Sequence, residues 1–392
     1  MPAGRASQIA VLATVLPCFV APAGAATRME ERYNVGGYLD VGKTKPYRFA
    51  AHAEPRPLPR EGSMGRPAST AAAKALRAYM AKYPETTGVL LVERGKVVFE
   101  AYQGMGGPAR EFYGMSIGKS LTALAVGRAL CAGKIQSLDT AAGAIVAELR
   151  GSYFGKSTIR QLLTMSSGAY RGKIAGRPDL GGKMTGPMRG MTWRMRLGTL
   201  TAEDLLWGWA WTETRNKTVH PPGAAFIYKN GDTLAIGAVL ERSTGMSVAA
   251  YFDTTIWRAV RPAHAAHWEA DSDGSTMVHA GFQARLEDWG RFAAWLLDAV
   301  QRPGCFGDYL RTATRTQIQI RKKGGLFRGY GYQWWTDNRF APGFWGLGYA
   351  GQVLALNPKT GKALIKFGYA KYGRNARDIC RIFDAWNRAR RD

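Results

Sequence analysis

The chain has 392 residues, 46% of them hydrophobic and twelve of them Trp, which is enough to bury a sizeable core and too apolar for a disordered polymer. Its 54 Lys and Arg against 29 Asp and Glu leave a formal charge of +25, a field that attracts anions. The basic residues are scattered and no zinc-finger or RNA-recognition pattern accompanies them, so nucleic acid is excluded as a partner in favour of a solvated basic surface facing an anionic cell envelope.

Residues 1–25 read as an export signal: Arg5, an apolar run broken by Pro17 and Pro22, then small residues at Ala23, Gly24 and Ala25. The run is short for a membrane-spanning helix, so the signal is expected to be cleaved and the mature protein to be periplasmic or secreted. Cleavage removes Cys18 and leaves Cys131, Cys305 and Cys380, which allow at most one disulfide. Cys131 falls on the apolar face of a helix and is expected to pack as a small hydrophobe, leaving Cys305 with Cys380 as the pair.

Residues 26–64, rich in Pro, Gly and Arg, read as an extended lead-in, and 65–392 as one domain. Within it, "STAAAKALRAYMAKY" predicts a helix, and "TGVLLVERGKVVFEAYQG" predicts two strands about the turn Glu93, Arg94, Gly95. "FYGMSIGKSLTALAVGRAL" then predicts a helix that is apolar around most of its circumference and therefore buried. A helical stretch follows from Ser137 to Ser167. From Ala169 to Gly198 the chain is Gly-, Met- and Arg-rich with Asp179 as its one acid, the composition of a long irregular loop. Helices return at "TAEDLLWGWAW", "GDTLAIGAVLERSTGMSVAAYFDTTIW" and "EDWGRFAAWLLDAV"; Trp207, Trp209 and Trp211 in the first are expected to pack in the core. Strand signals in "YGYQWW" and "YAGQVLALNPKTGKALIKFGYA" precede a last helix, "ARDICRIFDAWNRAR". Strands near both ends with helices between them predict an α/β (α+β) fold, one sheet built from both termini with a helical insertion over about 135–290.

The chemistry-bearing pattern is Ser116 followed three residues on by Lys119, on one face of the buried helix. A serine at a helix N-terminus has its oxygen and any developing oxyanion stabilised by the macrodipole, and a buried lysine loses hydration and becomes available as a neutral base. An S-x-x-K alone equally fits an ordinary helix surface. A second piece, "HPPGAAFIYKNGD", places Tyr228 and Asn230 on a turn before an apolar helix, where a tyrosine near a lysine can relay a proton and the amide can bond a substrate carbonyl.

S-x-x-K, "TIRQLLTMSSG", Pro-Gly-x-x-Phe-x-Tyr-x-Asn-x-Asp and "STG", in this order and spacing, resemble the serine β-lactamase and penicillin-binding superfamily over residues 65 to 390, above all the class C β-lactamase-related esterases and 6-aminohexanoate-dimer hydrolases. The resemblance implies an antiparallel sheet flanked by helices with a helical subdomain, and a site at their junction. It implies Ser116 as nucleophile, Lys119 as its base partner, Tyr228 as proton relay and Asn230 lining the site, with no cofactor or metal. The family's third motif is a K-T-G-like run. Lys359, Thr360 and Gly361 have the literal form but sit among the turn residues of "NPKTGK", so an exposed hairpin is expected there. The family position is taken instead as Tyr349, Ala350 and Gly351, contacting substrate, with the N–H groups of Gln352 and Ser116 as the oxyanion hole. Tyr349 replaces the usual Lys or His. The resemblance then favours a small-molecule ester or linear amide substrate, with a β-lactamase or D-alanyl-D-alanine peptidase as the alternative and a catalytically silent envelope-binding protein as the alternative of another class. Arg171 or Arg189 in the long loop can supply the missing charge.

Other patterns carry less. His264 and His267 lack a third ligand nearby, and "DSDG" with Asp271 and Asp273 lacks the spaced Glu of a calcium loop, so both are expected to be structural. With only five His in the chain, a Ser-His-Asp arrangement is not expected.

Overall fold

The computed structural model describes residues 46–60, 71–169, 220–271, 273–321, 324–369 and 375–389. The expected export signal, most of the lead-in, the loop residues with Arg171 and Arg189, and Trp207, Trp209 and Trp211 lie outside the described residues.

The main sheet is antiparallel throughout. Its strands are β2 (Thr86–Glu93), β3 (Lys96–Tyr102), β7 (Ile318–Gln319), β8 (Phe327–Tyr330), β9 (Trp335–Asn338), β10 (Phe344–Gly348), β11 (Gln352–Asn357) and β12 (Lys362–Gly368), in the order β3-β2-β12-β11-β10-β9-β8-β7. The β2–β3 hairpin turns at Arg94 and Gly95, both at positive φ, and β2 then pairs with β12 with Leu91 opposite Leu364. The two ends of the chain thus meet in mid-sheet, as the strand signals predicted.

Alternation along the central strands divides the apolar residues between two layers. Val89, Leu91 and Leu364 face α1 (Ala71–Lys82) and the C-terminal α8 (Ala376–Arg388), packing with Leu76, Met80, Phe383 and Trp386. Leu90, Val92, Leu354 and Ile365 face α2 (Ile117–Cys131) and α6 (Leu286–Gln301), packing with Ile117, Leu121 and Phe292. Helix α2 lies inside this second layer with twelve of its residues buried, as its largely apolar circumference predicted.

The segment between α2 and α6 is not wholly helical. It contains α3 (Ile159–Leu163), opened by a Thr158–Gln161 capping box, α4 (Asn230–Thr244), closed by left-handed Gly245, and α5 (Val248–Phe252). It also contains β5 (Ala266–Trp268) and β6 (Phe282–Arg285), which join β1 (Tyr47–Phe49) and β4 (Glu111–Tyr113) in a small sheet of order β1-β5-β6-β4. These strands are three or four residues long, below the length at which periodicity separates strand from helix. Strand β1 shows that the lead-in docks: Phe49 is fully buried, with its ring edge-on to Phe252, Trp257 and Phe282. Burial of one such ring contributes about 2 kcal/mol.

The disulfide differs from expectation. Cys131 ends α2 and bonds to Cys305, the first residue of α7 (Cys305–Ala313), while Cys380 is a buried free thiol beside Asn338. The apolar periodicity that assigned Cys131 to the core runs out at the last turn of α2, where its side chain is only half-buried and reaches the neighbouring helix.

Candidate active site

Strand β4 delivers the chain to the start of α2. Gly114 and Met115 make the turn, with Met115 at φ 49, and Ser116 sits at the helix N-cap without using its hydroxyl to cap the helix. The hydroxyl is left to Lys119, whose Nζ donates to Ser116 Oγ at 3.1 Å and to the carbonyl of His279 at 2.9 Å. Lys119 is 1% exposed, and burial holds its amine at about 7 in place of the usual 10.5. The His279 ring is pushed down to about 3 by burial and by Lys119, so it is neutral and adds no second charge. A half-neutral amine in contact with a half-buried hydroxyl can take its proton, which an ordinary lysine cannot do at neutral pH.

The Lys119 ammonium also lies 5.3 Å from the centre of the Tyr228 ring. Tyr228 is half-buried among aromatic rings, with centroids 5.3 Å from Trp335, 6.3 Å from Tyr330 and 6.5 Å from Phe226. Beside it, Lys229 and Asp232 form a buried pair at 3.6 Å, and Asp232 accepts from Ser167 Oγ at 2.6 Å and Ser167 N at 3.3 Å. Burial raises the Asp232 carboxyl, opposed by Lys229 and Ser167. This pair anchors the turn that carries Tyr228 and Asn230, the latter being the first residue of α4.

Gln333, between β8 and β9, ties the helices together. Its carbonyl accepts from Ser120 Oγ at 2.6 Å, its Oε1 from Thr233 Oγ1, and its Nε2 donates to the carbonyls of Leu162 and Leu163. One buried amide therefore fixes α2, α3 and α4, and with them Lys119 and Tyr228. Nothing in the residue pattern marks it beyond its place between Tyr332 and Trp334.

The strand beside Ser116 is β10. A Cβ added at Gly348 would lie 2.4 Å from the Gly114 carbonyl and 2.8 Å from Met115 Cβ, so the end of β10 touches the turn that presents the serine. Beyond Trp345, opposite Trp335, no residue of β10 is paired with β9, and its edge is open there among the described residues. Tyr349, Ala350 and Gly351 form the turn to β11, with Ala350 at φ 64 and Gly351 at φ 88.

Gln352, the expected oxyanion donor, closes the turn opposite Gly348, so its backbone belongs to the β10–β11 ladder. Its side chain works on the turn, donating from Nε2 to Tyr349 O at 2.9 Å and Gly368 O at 2.6 Å, and accepting from Gly368 N at 2.9 Å. The next backbone donor after Gly348, the residue that touches the serine turn, is the N–H of Tyr349. Lys359 is exposed in the β11–β12 turn, held by Asn357, as the turn residues predicted.

The decoy histidines separate. His264 meets Asp288, whereas His267 lies between Glu111 and Arg48. Asp271 caps its own turn by accepting from the N–H groups of Asp273 and Ser275. Among the described residues no group of three or more His, Cys, Asp or Glu could hold a metal ion.

The family profile named Beta-lactamase matches residues 72–379. The chain belongs to the β-lactamase family. A 6-aminohexanoate-dimer hydrolase of Paenarthrobacter ureafaciens is 24% identical over 298 residues, 71% of this chain and 72% of the relative. Among solved structures, the Bacillus anthracis protein assigned as a 6-aminohexanoate-dimer hydrolase superposes with TM-score 0.71 at 19% identity, covering 88% of this chain and 90% of its own. A D-stereospecific amidohydrolase from Streptomyces sp. gives TM-score 0.61 at 18% identity, covering 80% and 97%. These likenesses establish the fold, antiparallel sheet with flanking helices. Membership of the β-lactamase family places the chain in the serine hydrolase superfamily.

Proposed function

We propose that the protein is an exported serine hydrolase that cleaves esters or linear amides through an acyl-enzyme on Ser116. The observation that carries this is the contact of Lys119 with Ser116 Oγ at 3.1 Å, made by a lysine that burial keeps half neutral. Neutral Lys119 takes the hydroxyl proton as Oγ attacks the carbonyl carbon. The tetrahedral oxyanion is held by the N–H groups of Ser116 and Tyr349. Lys119 and Tyr228 return the proton to the leaving alcohol or amine. Water, deprotonated by the same pair, then attacks the acyl-enzyme and frees the acid and Ser116. Asn230, Tyr349, Ala350 and Gly351 line the acyl group. The scheme needs no cofactor or metal.

Neither the open edge of β10 nor Tyr349 brings a cationic side chain to the site, and a carboxylate taken out of water without a partner is costly. This supports short-chain esters, then linear amides such as aminohexanoate oligomers, over penicillins. Export into an oxidising compartment is supported by the Cys131–Cys305 disulfide, and contact with an anionic envelope by the net charge of +25. The test is a fluorophosphonate label followed by a panel of p-nitrophenyl esters, a linear aminohexanoate dimer and a chromogenic cephalosporin, on wild type and Ser116→Ala. The reading requires a Ser116 adduct and ester turnover that the variant loses. Absence of the adduct, with Ser116→Ala indistinguishable from wild type, would sink it; fast cephalosporin hydrolysis with negligible esterase activity would replace the ester preference.

A further inference from the structure

Strand β12 contains a lysine that the scheme above does not use. Lys366 is fully buried, opposite Val353 of β11 and Val89 of β2, in a stretch of strand that otherwise carries apolar side chains. Long charged side chains are almost never fully buried without a partner. The partner here is a backbone oxygen: Lys366 Nζ donates to the carbonyl of Gly351 at 3.0 Å.

That carbonyl belongs to the three-residue turn that follows Gly348. With Ala350 at φ 64 and Gly351 at φ 88, the turn leaves the ladder, and its carbonyls need partners from elsewhere. Two side chains supply them: Gln352 takes Tyr349 O, and Lys366 takes Gly351 O. The turn is thereby held at both ends, directly after Gly348, the residue that touches the serine turn. Burial lowers the Lys366 amine to about 8, opposed by Glu85, so near neutral pH it is chiefly an ammonium and a strong donor.

We propose that Lys366 is a positioning residue for catalysis, fixing the Tyr349–Gly351 turn through its bond to the Gly351 carbonyl so that the Tyr349 N–H stays aimed at the oxyanion. The proposal rests on the serine-hydrolase reading. It acts through the backbone, so it predicts loss in the step where the oxyanion forms and little change in substrate capture.

Lys366→Met keeps the stem and removes the donor. For a good ester substrate, kcat is expected to fall roughly 10- to 100-fold, short of the loss of a direct oxyanion donor, with KM within about threefold of wild type. The infrared carbonyl band of the trapped acyl-enzyme is expected to move to higher frequency as polarisation of the carbonyl weakens. Hydrogen exchange at the amides of residues 349–352 is expected to speed up in the free protein. If Lys366→Met does not fold, Lys366→Leu, which also lacks the donor, is read the same way. Wild-type kcat with an unmoved carbonyl band overturns the proposal, as does a fall in kcat that tracks thermal stability and leaves the band in place. If wild type forms no Ser116 adduct, the serine-hydrolase reading fails and takes the catalytic role with it. The exchange experiment then still reports whether Lys366 holds the turn.

Discussion

Replacing Lys119 by Met separates function from stability with opposite signs. Burial holds the amine at about 7 against the usual 10.5, and each pH unit of that gap corresponds to about 1.4 kcal/mol. In the unfolded chain the lysine is charged at pH 7. Burying it therefore costs about 4 kcal/mol at that pH, a cost that methionine avoids. Against this, the variant leaves the His279 carbonyl without its donor, which costs about 1–3 kcal/mol. The net expectation is an inactive protein about 1–3 kcal/mol more stable than wild type at pH 7. Between about 7 and 10.5 the unfolded state binds more protons than the folded one, so wild-type stability rises with pH there and the advantage of the variant is lost by pH 10. Denaturant unfolding at pH 7 and pH 10 reads the difference. In the proposed mechanism the same amine is the base when neutral, so wild-type kcat/KM for an ester should rise with pH through about 7 and fall away below it. A variant less stable than wild type at pH 7, or a rate limb near 10, would refute the reasoning.

Three further outcomes follow from the geometry. Gly348→Ala puts a methyl 2.4 Å from the Gly114 carbonyl, a backbone atom that cannot step aside, so the serine turn shifts and kcat/KM for esters should fall about 100-fold, read by initial rates. Lys359→Ala alters an exposed hairpin residue and should leave the same rates within about twofold; a large loss would restore the literal K-T-G as the third motif. Removing the disulfide with Cys131→Ala and Cys305→Ala, residues 174 apart in sequence, should cost about 2–5 kcal/mol in denaturant unfolding.

The parts legible in the sequence were those in which spacing is itself the structure. Ser116 and Lys119 stand one helical turn apart, and the apolar circumference of α2 announced that the lysine would be buried. The β2–β3 hairpin and the exposed place of Lys359 followed from turn residues. What escaped was whatever depends on approach between distant segments. Gly348 has no side chain to advertise chemistry, and its place shows only in its contact with Gly114 and Met115; the proposed oxyanion donor, Tyr349, therefore lies three residues before Gln352, the one the motif suggested. Lys366 reads as a solvated strand residue until the sheet closes over it. Gln333 is an ordinary polar residue whose partners Ser120, Leu162, Leu163 and Thr233 lie far along the chain, and Asp232 is joined to Ser167, 65 residues before it. The cysteine pairing failed for the same reason: helix period places Cys131 on a face but does not say that α7 begins beside it.

The position of β10 also governs when this protein can act. Ser116 and Lys119 are made early, yet the strand end against their turn arrives only at Gly348, and β12, which pairs with β2, ends at Gly368. On the proposed scheme, a chain emerging from the ribosome therefore carries Ser116 well before the Tyr349 N–H that completes the oxyanion pair, so a copy truncated before β10 is expected to lack ester turnover.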